Sequence, residues 1–96
     1  MAANLYVSEL IDRYGNLLTE KQQRILDGYY NNDLSLSEIA ENEGITRQGV
    51  GDFVKRSEAQ LFEFEQKLGL CKLTAALKSA AARKDFDEIL VLIDKL

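Results

Sequence analysis

Five polar side chains within one short stretch, Thr46, Arg47, Gln48, Lys55 and Arg56, are of the types that recognise nucleic acid. Arg47 and Gln48 carry donors suited to base edges or phosphates, and Lys55 and Arg56 follow at a distance from which they could reach the backbone. Asp52 lies between the two groups and opposes phosphate at close range. The same cations also suit a solvated surface, or pairs with the chain's many carboxylates. Other chemistry is sparse. There is no histidine, no metal-ligand cluster, and no nucleophile with a base beside it. The lone thiol, Cys71, falls at an expected helix start, which could lower its pKa, and otherwise reads as inert packing. Asp85 and Asp87 read as capping and solvation. The expectation is therefore a protein that is not an enzyme and holds no metal or cofactor.

The elements that would position those five residues lie in Ser35–Glu58, SLSEIAENEGITRQGVGDFVKRSE. Ser35 and Glu38 have capping-box spacing, so a helix starts there, with Leu36, Ile39 and Ala40 inward. Gly44 supplies the positive φ that ends it, Ile45 anchors the turn, and Thr46 caps the next helix. A small residue, a turn glycine and buried aliphatics at Ala40, Gly44, Ile45, Val50 and Phe53 make a helix-turn-helix. Gly49 and Gly51 cost the second helix about 1 kcal/mol each relative to alanine, and they would let a nucleic-acid backbone or another helix come close.

The rest of the chain reads as scaffold and partner surface. A first helix over Asn4–Tyr14 gathers Leu5, Leu10, Ile11 and Tyr14 on one face, and Leu17 and Leu18 pack beneath a second helix. Thr19 caps that second helix, Glu20–Tyr30, whose Lys21, Gln22, Gln23 and Arg24 are expected to be exposed. Glu41 and Glu43 are expected to be solvated. The helix opening at Thr46 runs to about Leu68 and carries a heptad-like stripe of Val50, Val54, Ser57, Leu61, Phe64 and Leu68. Leu61, Phe62, Phe64 and Leu68 are the candidate dimer or partner interface. Gly69 stops that helix. An alanine-rich helix over Leu70–Arg83 follows, and Asp85 caps a last helix lined by Phe86, Ile89, Leu90, Ile93 and Leu96, a face that Val91 and Leu92 extend. The sum is a single all-α domain over residues 1–96: a trihelical helix-turn-helix core at about 4–68 with a long fourth helix, and a C-terminal helical pair at about 71–96. The stripe is covered either by a second copy of the chain or by residues 71–96.

Composition narrows the classes. The 96 residues lack proline and tryptophan and are 46% hydrophobic, which suits a small helical bundle. No run approaches the roughly 18 apolar residues of a membrane span. No basic segment precedes an apolar one at the start, so a signal peptide is not expected and a cytoplasmic protein is. The net charge is −4, and most of the deficit lies in residues 1–45. An acidic chain lacks the long-range attraction on which nonspecific nucleic-acid binding depends.

The segments LLTEKQQRILDGYYNNDLSLSEIAENEGITRQGV and DFVKRSEAQLFEFEQKLGL resemble the YlxM-like family of small bacterial helix-turn-helix proteins. The likeness covers about Tyr6 to Leu70 and, more distantly, extends to region 4 of bacterial sigma factors. It implies a sigma-region-4-like trihelical fold, homodimers, and low-GC Gram-positive bacteria. It also implies a link to the signal recognition particle pathway, with the particle's RNA or DNA as target and the particle GTPase Ffh or its receptor FtsY as partners. Carried over residue by residue, the nucleic-acid contacts are Thr46, Arg47, Gln48, Lys55 and Arg56. Family members often carry a small residue and then a bulkier aromatic or polar one where this chain has Gly49 and Gly51, and the resemblance does not take in the alanine-rich segment after Cys71. Two readings follow: a nucleic-acid-binding accessory or regulator, or a protein-interaction module that keeps the fold without binding DNA.

Overall fold

The computed structural model describes residues 5–96, all of whose regular elements are helical. They are α1 (Leu5–Tyr14), a 3-10 turn (Gly15–Leu17), α2 (Glu20–Tyr30), α3 (Leu36–Glu43), α4 (Arg47–Leu68), α5 (Leu70–Ala82) and α6 (Phe86–Ile93). The expected start of α1 at Asn4 lies outside the described residues.

Side-chain caps set the starts. Thr19 Oγ1 accepts from the Gln22 N–H while the Gln22 side chain accepts from the Thr19 N–H, and Ser35 and Glu38 do the same for α3. Thr46 Oγ1 accepts from the Gly49 N–H at 2.9 Å, and Asp85 accepts from the Glu88 N–H at 3.1 Å. Each cap satisfies an amide that the first helical turn leaves without a partner. Left-handed glycines set two of the stops, Gly44 at φ +68° and Gly69 at φ +65°. A β-carbon at either would meet nothing within 4 Å, so backbone conformation alone requires glycine there.

The core forms around α4, which packs against α1, α2 and α3. Val50, Val54, Ser57 and Leu61 are buried on it, against Val7, Leu10 and Tyr14 of α1, Ile25 and Leu26 of α2, and Ile39 and Ala40 of α3. Ser57 is the one buried polar residue among them, and its hydroxyl accepts from Gln22 Nε2 at 3.2 Å. The stripe is thus covered as far as Leu61 within the chain itself, by its first three helices with Cys71 of α5 in the same cluster.

Two expected faces are corrected. In α1, Leu5 is 86% exposed and Val7 points inward. Val7, Leu10, Ile11 and Tyr14 follow the i, i+3, i+4, i+7 pattern of one helix face, and Leu5 falls on the other side. Leu17 is exposed, and only Leu18 enters the core. The apolar last helix does leave surface open: Phe86, Leu90 and Ile93 of α6 and Leu96 beyond its end are exposed, while Leu92 is buried. Only α5 packs substantially against α6, and a single neighbour covers a narrow seam rather than a whole face.

The α5–α6 pair joins the rest through a polar junction beside the buried Cys71. Gly69 breaks the chain between α4 and α5. Tyr14 Oη donates to Glu65 Oε1 at 2.5 Å and accepts from the Leu70 N–H at 2.9 Å. The same Glu65 carboxylate accepts from the N–H groups of Cys71 (2.9 Å) and Lys72 (3.1 Å), so a side chain of α4 caps α5. Burial opposes the charge on Glu65, but the hydrogen bonds from Tyr14, Cys71 and Lys72 outweigh it and hold the carboxyl below the ordinary glutamate range. Burial, then the bond to Glu65, pushes the Tyr14 phenol up to about 12, so it stays protonated and able to donate.

Tyr14→Phe leaves the Leu70 N–H without an acceptor and takes a donor from Glu65. It should cost about 1–3 kcal/mol of stability in denaturant melts at neutral pH. Because folding depresses the Glu65 pKa, the stabilisation is present at neutral pH and is lost as pH falls below the ordinary glutamate value of about 4.3. Glu65→Gln should melt lower than wild type at pH 7 and lose less on acidification. Part of the acid loss should remain, since Glu38 and Glu43 are also held low.

Candidate nucleic-acid interface

The site is built by α3, the Gly44 turn and the first turns of α4. Ala40 is 7% exposed where the two helices meet, and the Ile45 N–H donates to Ala40 O at 3.1 Å, which tightens the turn. With Val50 and Val54 buried, the opposite side of α4 faces outward. There Arg47, Gln48, Asp52, Lys55 and Arg56 are all exposed. None of them forms an ion pair or a side-chain hydrogen bond among the described residues. Arg47, Gln48, Asp52 and Lys55 ring a shallow groove whose floor is Leu36 and Gly51. Thr46 is brought to the same end, but its hydroxyl oxygen is engaged as the helix cap. Its place in the site is to fix the first turn.

Three ion pairs lie elsewhere among the described residues. Arg24 forms a two-pronged pair with Glu43, both bonds 2.7 Å, that ties α2 to α3. Glu43, expected to be solvated, has a side chain only 13% exposed. The hydrogen bond from Arg24 holds its carboxyl below the ordinary range. Lys67 pairs with Glu63, and Arg83 with Asp85. Arg24 is therefore committed to the fold, and the α4 cations are available to a ligand.

Two contributors on α2 were not foreseen. Lys21 sits over the Phe53 ring at 5.5 Å from its centre, which adds a cation beside the motif. Gln22, expected to be exposed, is half-buried and clips α2 to α4 through Ser57 and Gln60. The Thr19-x-x-Gln22 spacing is itself a capping-box signature and could have revealed Gln22's role as a cap. No local pattern announces the Lys21–Phe53 contact.

The candidate partner residues divide. Leu61 is fully buried inside the chain, and Phe64 is half-buried with its ring 6.0 Å from that of Tyr14. Phe62 is 43% exposed, its ring 5.9 Å from that of Tyr6, and Leu68 is 56% exposed. Only Phe62 and Leu68 remain as surface. Cys71 does begin a helix, yet its thiol is pushed up to about 11, first by burial and then by the charges of Glu65 and Glu9. The helix start does not activate it, because Glu65 already occupies the free amides with a negative charge. Among the described residues no group of side chains is arranged to hold a metal ion, and no helix is long and apolar enough to cross a membrane.

A capped first helix, a left-handed glycine turn and a second helix with a free polar face define a helix-turn-helix protein. Residues 1–89 match the family model described as "Putative helix-turn-helix protein, YlxM / p13 like", and the chain belongs to that family, UPF0122. Among its relatives, a UPF0122 protein of Clostridium kluyveri is 51% identical over 70 residues, which are 73% of this chain and 63% of that one. A UPF0122 protein of Desulforamulus reducens is 44% identical over 88 residues, 92% of this chain and 71% of the relative. One from Clostridium acetobutylicum is 39% identical over 97 residues, 100% of this chain and 82% of the relative. The chain thus spans less than two thirds of the first of these relatives.

The raised pKa and burial of Cys71 predict a thiol that reacts with a disulfide reagent at pH 8 only slowly in the native protein and at the ordinary rate once it is unfolded in guanidinium. Equal rates in the two states would contradict its placement.

Proposed function

We propose that this protein is a nucleic-acid-binding accessory or regulatory protein that engages duplex DNA through the outer face of α4. The observation that supports this most is the set Arg47, Gln48, Lys55 and Arg56, exposed and unpartnered on the second helix of the motif. Duplex DNA is favoured over paired RNA on shape. A helix enters the wide major groove of B-form DNA, whereas the major groove of A-form RNA is too narrow for side chains to read.

Affinity from one copy is modest. Arg47, Lys55 and Arg56, with Lys21 at the edge, neutralise about three or four phosphates, a salt slope of about −3 per chain. Two copies would double that. A homodimer is supported by the apolar surface that the fold leaves open: Phe86, Leu90, Val91, Ile93 and Leu96 at the C-terminal end, with Leu68 lining a groove there together with Leu92. The radius of gyration, 16.4 Å, also exceeds the roughly 12–13 Å of a compact chain of this length. The family likeness adds the signal recognition particle pathway as the cellular setting, in the cytoplasm. Its RNA is then the contrasting target, with Ffh or FtsY as protein partners. The same apolar surface favours a second reading, an interaction module that keeps the fold and binds protein alone.

The test is titration of the full chain against promoter DNA, the particle's RNA and a random duplex at several salt concentrations. Binding to one target above the random duplex, with a slope near −3 per chain that shrinks by about one for Arg47→Ala and again for Lys55→Ala, supports the reading. Equal affinity for all targets, unchanged in the double variant, contradicts it. Sedimentation at micromolar concentration should show a dimer that Leu90→Glu with Ile93→Glu converts to monomer. A monomeric wild type contradicts dimerisation.

A further inference from the structure

Gly51 and Asp52 have no structural reason to be what they are. Gly44 and Gly69 are required by positive φ, but Gly51 has helical φ and ψ. A β-carbon there would lie 4.0 Å from Leu36 Cδ1, an ordinary contact, so packing does not require glycine either. Gly49 differs, because its β-carbon would sit 3.0 Å from the Thr46 hydroxyl that caps the helix. Gly51 therefore weakens the helix and gives nothing back to the fold. What it leaves is the floor of the groove ringed by Arg47, Gln48, Asp52 and Lys55. Asp52 stands on that rim, exposed, with no ion pair even though Lys55 and Arg56 lie three and four residues on. A carboxylate on a face that must meet phosphates repels them unless it meets a donor.

We propose that Gly51 and Asp52 form a base-reading subsite: Gly51 lets a base edge approach the helix, and Asp52 accepts a hydrogen bond from the exocyclic amino group of a cytosine. The inference rests on the duplex-DNA reading above. The chemistry selects cytosine. An ionised carboxylate is an acceptor only. In the major groove guanine and thymine offer acceptors that repel it, and adenine offers its amino donor next to the N7 acceptor. Cytosine offers the donor alone. Asparagine carries both a donor and an acceptor and matches adenine in two places.

The experiment is binding-site selection from a random duplex pool with the full chain, followed by affinities on the selected site. Wild type should enrich a site with one fixed cytosine. Asp52→Asn should move the preference at that position to adenine, changing the cytosine-to-adenine affinity ratio about tenfold or more. Gly51→Ala should raise the thermal midpoint by about 4 °C, since the fold accommodates the methyl group, while weakening binding to the selected site about tenfold. A selected site whose preference survives Asp52→Asn, with Gly51→Ala binding as wild type does, overturns the subsite and leaves the DNA reading standing. Failure of wild type to enrich any sequence overturns both.

Discussion

One helix has to serve as both the spine of the core and the face of the motif, and the rest of the chain is arranged around that constraint. Val50, Val54, Ser57 and Leu61 are spaced four, three and four apart, so at about 100° per residue they stay on one line along α4. Three helices bury that line. The same periodicity carries Gln48, Asp52 and Lys55 to roughly the opposite side. The direction of the polar face is therefore set by the packing of α1, α2 and α3. A shift of α4 in the core would turn the whole face. The Gln22 clip to Ser57 and Gln60 opposes such a shift with hydrogen bonds, since aliphatic packing alone tolerates small rotations.

The second constraint lies at the other end of α4. Gly69 turns the chain, and the free amides of α5 need acceptors. Glu65 and Tyr14 supply them, with a charge matched to the positive end of the helix. The C-terminal pair is thereby tied to α1 and to the end of α4 at one point. From there it extends along α5, and α6 finds only one helix to pack on. The open apolar surface at residues 86–96 follows from that geometry. A helix as apolar as α6 with one neighbour cannot hide its side chains within a single chain.

Where the sequence was legible, the signal was local. The bounds of α2 and α4 follow from Thr19, Thr46 and Gly69, residues whose capping chemistry acts within one turn. The helix-turn-helix follows from Ala40, Gly44 and Val50 for the same reason, and the exposure of Thr46, Arg47, Gln48, Lys55 and Arg56 follows from their position at its second helix. What was not legible depends on partners far along the chain. Tyr14 meets Glu65 across 51 positions, and Arg24 meets Glu43 across 19. Glu43 and Gln22 therefore read as solvent-facing when both are ties between helices. The stripe on α4 was correctly seen as apolar, but periodicity reports a face and not what covers it. Leu61 read as interface because the burial that α1 gives it cannot be seen from α4 alone.

The acidic composition deserves a different weight once the contacts are known. A net charge of −4 argues against attraction to DNA only if the charges act together at the surface that meets it. At least four of the sixteen carboxylates are engaged within the fold. Glu43 is neutralised by Arg24, Glu38 is held in the α3 cap, Glu65 lies on the amides of α5, and Asp85 caps α6 and pairs with Arg83. At physiological salt the field of an exposed charge fades within about 8 Å. On the proposed DNA-binding reading, the exposed charges of α4 that a phosphate would meet are Arg47, Lys55 and Arg56 against Asp52, a local surplus of positive charge on an acidic protein. Such a face gives short-range contact without long-range capture. On that reading direct contacts at the groove would carry more of the recognition, and the position of each side chain on α4 would matter more than the total charge of the chain.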